Sequence, residues 1–138
     1  MEFVSKSTRD TEEFAASLAE RFPAPQVFCL KGDLGAGKTA FTRGLARGYG
    51  FMGRVSSPTF AIMNVYEGDR ERVNHFDLYR LESDEELEDI GFEDCLKNDI
   101  SVIEWPDSFM HLIPSYVQVT ILKTDNDDER IIKIGDAK

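Results

Sequence analysis

The stretch Gly32-Asp33-Leu34-Gly35-Ala36-Gly37-Lys38-Thr39 fits the pattern G-x-x-x-x-G-K-[ST] at every position. Glycines in such a loop let several backbone N–H groups converge on phosphate oxygens. The helix that follows turns the positive end of its dipole toward the same anion. In this pattern Lys38 reaches the β- and γ-phosphates and the Thr39 hydroxyl ligates magnesium. The nucleotide-binding run is therefore Leu34, Gly35, Ala36, Gly37, Lys38 and Thr39. The flanks agree. Val27-Phe28-Cys29-Leu30 is a short continuous apolar run, as a strand buried on both faces requires. Thr39 to Tyr49 then carries Phe41, Leu45 and Tyr49 at helical spacing and is closed by Gly50. Strand, loop and helix in this order predict a site for a nucleotide with magnesium.

Upstream of the loop, Thr11 to Phe22 places Phe14, Ala15, Leu18, Ala19 and Phe22 on one helical face, and Pro23 and Pro25 end it. Downstream, Phe60 to Tyr66 and Arg72 to Leu78 are β-rich and flank Glu67-Gly68-Asp69-Arg70, which predicts a hairpin. Ser83 to Leu96 reads as helical, with Ser83 as N-cap and Glu86 at capping-box spacing. Ile100-Ser101-Val102-Ile103 is a second strand of the buried type, ended by Glu104 and Pro106. Tyr116 to Leu122 and Arg130 to Ile134 read as strands on either side of the polar turn Asp125-Asn126-Asp127-Asp128. Strands alternating with helices, followed by a β-rich remainder, predict an α/β chain in three layers with a mixed sheet.

The 138 residues suit one domain, 1–138, since a second core would leave too few residues for either. No apolar run approaches the roughly 20 residues of a membrane span, and the first residues lack the pattern of a secretory signal. Cys29 and Cys95 stand far apart without metal-ligand spacing, and Cys29 reads as a small core residue in an apolar run. A reducing, cytoplasmic setting is expected. With 16 basic against 26 acidic side chains the net charge is −10, which opposes direct binding of nucleic acid but leaves room for a local phosphate site.

A nucleotide-hydrolysing loop also needs a carboxylate at the end of a neighbouring strand to hold magnesium. Glu104, carried by the strand-like run 100–103, is the first candidate, and Asp77, ending Val73-Asn74-His75-Phe76, the second. Ser56-Ser57-Pro58-Thr59 lies where nucleotide-sensing loops sit, and Pro58 keeps Ser57 out of the helical region. Trp105 packs either over the nucleotide site or into the core. His75 reads as a structural histidine. From Glu82 to Asp94 there are eight carboxylates and no base, a solvated face or a docking surface for a basic partner.

GDLGAGKT at 32–39, SSPTF at 56–60, HFDLYRL at 75–81 and IEWP at 103–106 together resemble the TsaE family, formerly YjeE, of bacterial ATPases required for threonylcarbamoyladenosine modification of tRNA. The likeness runs in order along nearly the whole chain. It implies a P-loop NTPase-like fold with parallel core strands and added antiparallel strands. It also implies ATP and Mg2+ as cofactors, ATP hydrolysis, and action on a complex of the TsaB and TsaD proteins, with tRNA reached only through them. By the same resemblance Thr39 and Glu104 bind magnesium, and Lys38, Asp77 and Thr59 serve hydrolysis. A nucleotide contact near the N-terminal helix falls at about Thr8. Ala40 stands where the family commonly has a second threonine, away from the chemistry.

Two other functions carry the same loop. A small-molecule kinase would bring an Arg-rich lid and an acceptor pocket, and neither feature is obvious in the sequence. A binding module would sense nucleotide without turning it over. A GTPase is disfavoured, because no N-K-x-D guanine-reading motif occurs.

Overall fold

Alternation along the two apolar runs decides the architecture. In the computed structural model, which describes residues 1–33, 35–58 and 62–137 and leaves the side chains of 136 and 137 aside, Val27-Phe28-Cys29-Leu30 lies within β2 (Gln26–Lys31). Phe28 and Leu30 enter one hydrophobic core, and Val27 and Cys29 enter another on the opposite face. The run 100–103 lies in β5 (Ile100–Glu104), buried throughout. A strand apolar on both faces needs helices above and below it, which is why the fold has three layers.

The sheet has seven strands in the order β1-β7-β6-β2-β5-β4-β3. β6 (Val117–Lys123), β2, β5 and β4 (Arg72–Asp77) are parallel neighbours. β3 (Met63–Glu67) pairs antiparallel with β4 as the predicted hairpin, and β7 (Arg130–Ala137) pairs antiparallel with β6. β1 (Glu2–Ser5), which the sequence does not announce, closes the far edge against β7. This is the expected mixed sheet, with parallel core strands and antiparallel strands added at both edges.

On one face lie α1 (Thr8–Leu18) and α2 (Lys38–Gly48). A Cβ at Gly44 would come within 2.1 Å of the Glu12 carbonyl oxygen, and one at Gly48 within 2.5 Å of that of Ala16. The offset between partners is constant, so the two helices run parallel, and glycine at 44 and 48 is what allows this approach. Arg43 and Arg47 add ion pairs to Glu12 at 3.0 and 3.2 Å.

The other face carries α3 (Asp84–Asp89), α4 (Phe92–Asn98) and a 3-10 segment at Asp107–Leu112. The helical reading of 83–96 is broken in two, because Gly91 takes φ +75° and starts a new helix. The expected capping box does not form: Ser83 makes no side-chain cap, and Glu86 instead accepts from the Glu82 N–H at 3.2 Å. Among the described residues no helix is long and apolar enough to cross a membrane.

Candidate active site

Parallel strands bring their carboxyl ends to one edge of a sheet, and the loops that follow them meet there. Here Leu30 pairs with Glu104 and Glu104 with Asp77 across β2, β5 and β4. The end of β2 opens into the glycine-rich loop, which enters α2 through Gly37. Gly35 and Gly37 take φ +79° and +109°, values that side chains with a Cβ rarely adopt. Gly37 supplies no side-chain cap, so the first turn of α2 offers its N–H groups and dipole to a ligand rather than to its own chain.

The loop is gripped from behind. Arg130, at the start of β7, donates from Nε to the Ala36 carbonyl at 2.9 Å and from Nη2 to the Gly35 carbonyl at 3.3 Å. Carbonyl oxygens that would repel an anion are thus turned to a guanidinium. Lys123 stands at the same place, its Nζ 3.4 Å from where a Cβ on Gly35 would lie.

Lys38 Nζ lies 3.7 Å from Glu104 Oε1 and 4.5 Å from the centroid of the Trp105 ring. A charge-assisted hydrogen bond is about 2.8 Å long, so the ammonium is held near the carboxylate without being committed to it. Glu104 is 4% exposed, and its Oε2 lies 2.6 Å from His75 Nε2. Because a carboxylate only accepts, the imidazole nitrogen donates. Trp105 takes φ +56°, a strained conformation for so large a residue, and this lays its ring over Lys38 rather than into the core. Its ring also meets that of the exposed Tyr79, with centroids 5.2 Å apart.

Asp77 is half-buried at the end of β4, its Oδ1 accepting from the Tyr79 N–H at 3.0 Å. Thr39 Oγ1 is 3.0 Å from Ser57 Oγ, so the 56–58 segment reaches the head of α2. Thr8 is the exposed first residue of α1, and the parallel packing of α1 on α2 puts it at the glycine-loop end. Leu34 and Thr59 lie outside the described residues. Three residues of the site were not singled out for it from the sequence: Arg130, Tyr66 and His75. Nothing near Arg130 signals a partner 94 positions earlier. Tyr66 and His75 become neighbours only through the hairpin register.

The donor set suits magnesium. Hydroxyl oxygens of Thr39 and Ser57 and a carboxylate of Glu104 are hard ligands, and magnesium takes one or two such groups plus phosphate oxygens rather than a protein cage. Among the described residues no cluster of three His, Cys, Asp or Glu side chains could hold a metal by itself. Beside the loop opens a cavity of about 590 Å³ bordered by Gly32, Asp33, Lys38 and Trp105. A larger one, about 770 Å³, begins at Gln26 and Val27, the opposite end of β2, and shares none of these residues. Elsewhere burial pushes the Cys29 thiol up to about 12 and raises the Tyr66 phenol, so Tyr66 remains a neutral donor.

The family model for threonylcarbamoyl adenosine biosynthesis protein TsaE matches residues 5–132. Among curated proteins, the chain is similar to the Treponema pallidum tRNA threonylcarbamoyladenosine biosynthesis protein TsaE, 36% identical over 98% of this chain and all of the relative. It is 34% identical to the protein of the same name from Rickettsia prowazekii, over 87% of this chain and 85% of that one. Among solved structures, YdiB of Bacillus subtilis superposes with a TM-score of 0.76 at 29% identity, covering 97% of this chain and 83% of the other.

Proposed function

The chain belongs to the TsaE family, and on that premise we propose that it is a magnesium-dependent ATPase serving threonylcarbamoyladenosine modification of tRNA. The observation that carries the reading is Lys38, poised 3.7 Å from the buried Glu104 at the head of α2. A lysine kept close to a carboxylate but outside hydrogen-bond distance is ready to turn to a phosphate.

In this reading the N–H groups from Gly35 to Thr39 hold the phosphates, and Arg130 keeps the loop shaped for them. Lys38 neutralises charge that develops on the terminal phosphate, in a site where half-buried walls strengthen the interaction. Thr39 and Glu104 are the magnesium ligands, direct or through water. Magnesium held there would act as a Lewis acid and draw charge off the phosphate. Asp77 orients the attacking water, and Thr59 senses the terminal phosphate from the loop. Leu34 and Thr8 complete the nucleotide contacts. Adenine nucleotides are preferred over guanine nucleotides, as no guanine-reading motif is present.

The partners in this reading are TsaB and TsaD. A chain at −10 meets every tRNA phosphate against a repulsive field, so tRNA is bound by the partners, and this protein biases their state through its nucleotide. The test is phosphate release with and without TsaB and TsaD, together with formation of modified tRNA, for the wild type and Lys38→Ala. Slow turnover alone, stimulation by the partners and loss of both readouts in the variant are expected. Transfer of labelled phosphate to a small metabolite, or tight tRNA binding by the isolated chain, would refute the reading.

A further inference from the structure

A row of buried polar side chains crosses the sheet from the site to the 56–58 segment. Glu104 on β5, His75 on β4 and Tyr66 on β3 are 4%, 0% and 4% exposed. Strand register brings them together. His75 pairs with Val102, two residues before Glu104, and Tyr66 pairs with Val73, two residues before His75. Residues two apart on a strand share a face, so the three lie on a diagonal of the face that packs on α2.

The contacts are continuous. His75 Nε2 donates to Glu104 Oε2 at 2.6 Å, and His75 Nδ1 shares a hydrogen bond with the Tyr66 hydroxyl at 3.0 Å. That hydroxyl also lies 3.0 Å from the Ser56 carbonyl, to which Asn64 Nδ2 donates at 3.1 Å. The next residue, Ser57, meets Thr39 at 3.0 Å. Thr39 therefore reaches the segment directly, and Glu104 reaches it through two side chains. The row ends at the neighbouring residues 56 and 57.

We propose that His75 and Tyr66 are positioning residues that couple the orientation of the Glu104 carboxylate to the order of the loop at Ser56 and Ser57. The proposal rests on the reading of Glu104 as a magnesium ligand. A histidine that fixes one oxygen of a ligating carboxylate sets which lone pairs face the ion, and such supporting bonds govern metal affinity. Tyr66 then makes the same histidine sensitive to where the loop backbone lies. A loop drawn to the phosphates and a carboxylate turned to the ion become one event, as a nucleotide switch requires.

The test uses Tyr66→Phe, which removes one hydroxyl and keeps the ring, together with His75→Leu and His75→Gln. Two quantities are read. One is the magnesium concentration that half-saturates ADP binding, followed by the fluorescence of Trp105, the only tryptophan. The other is the rate of trypsin cleavage after the exposed Arg54, beside the loop, in the protein without nucleotide. His75→Leu should raise the magnesium requirement by about tenfold or more and speed the cleavage. His75→Gln keeps a donor for Glu104 and should restore the magnesium requirement but not the slow cleavage. Tyr66→Phe should speed the cleavage roughly threefold, as expected for one lost hydrogen bond. Should His75→Leu fail to fold, Tyr66→Phe and His75→Gln decide the matter alone. Wild-type cleavage in both of those variants overturns the proposal, as does His75→Gln needing as much magnesium as Glu104→Ala. Glu104→Ala distinguishes failure of the magnesium role from failure of the coupling. If it leaves the magnesium requirement unchanged, the reading of Glu104 falls and this proposal with it. If it raises the requirement while a folded His75→Leu does not, the coupling alone is wrong.

Discussion

Replacing Arg130 by methionine tests whether the glycine-rich loop is shaped before its ligand arrives. Methionine keeps an apolar stem for packing and removes the guanidinium, which donates to Ala36 at 2.9 Å, Gly35 at 3.3 Å, Asp127 at 2.7 Å and Glu129 at 2.8 Å. The last two bonds hold the turn before β7, so their loss lowers the melting temperature and leaves the ligand alone. The first two act on the loop. The bond to Ala36 has ordinary length, the bond to Gly35 is long, and the side chain is half-buried. One effective bond from a charged donor, taken at the low end of its range, is worth about 1.5–2 kcal/mol. If that free energy keeps the loop in its binding conformation, the variant must order it at the moment of binding. At about 1.4 kcal/mol per decade, affinity for MgADP falls roughly 10- to 30-fold. Calorimetric titration measures the affinity, and a thermal melt without nucleotide measures the stability change separately. A variant that melts earlier yet binds MgADP within twofold of the wild type would refute the reasoning, because Arg130 would then only staple β7.

Three further outcomes are expected. Glu104→Ala should weaken magnesium-dependent nucleotide binding, whereas Asp77→Ala should leave ADP affinity largely intact and lower turnover by about 10²–10⁴-fold; binding and steady-state rates for both variants check this, and the opposite pattern reverses their roles. Gly44→Ala places a Cβ 2.1 Å from a backbone oxygen of α1, so α1 and α2 must part. Overpacking of about 1–3 kcal/mol outweighs a gain of up to about 1 kcal/mol in helix propensity, and a denaturant midpoint lower than wild type is the expected reading. Burial raises the Cys29 thiol from 9.0 to about 12, so the folded chain keeps a proton that the unfolded chain releases. The stability this contributes is complete below about pH 9 and is lost as pH rises toward 12. Melting temperature should fall across that window with a shallower slope in Cys29→Ala, and equal slopes would count against the buried thiol.

Features that rest on local pattern are legible in the unfolded chain. Eight consecutive residues mark the glycine-rich loop proposed to hold phosphate, since that chemistry needs only backbone geometry and one lysine. The buried strands 27–30 and 100–103 are legible because a strand covered on both faces has no polar alternation to disguise it. Asp77 and Glu104 could be chosen because the last residue of a strand sits at the sheet edge whatever its neighbours are. Local pattern also misled where one glycine outweighed it, as at Gly91, whose φ of +75° divides a run that otherwise reads as one helix. The tertiary structure alone decided which distant residues meet. β1 is four residues long and is defined by pairing with β7 at the other end of the chain. Arg130 grips a loop 94 positions away. Trp105 leaves the core for Lys38 through a strained backbone turn. His75 and Tyr66 join Glu104 to Ser56 through the registers of three strands. Register is a property of paired strands and helix approach a property of packed faces, and neither exists until the chain has folded.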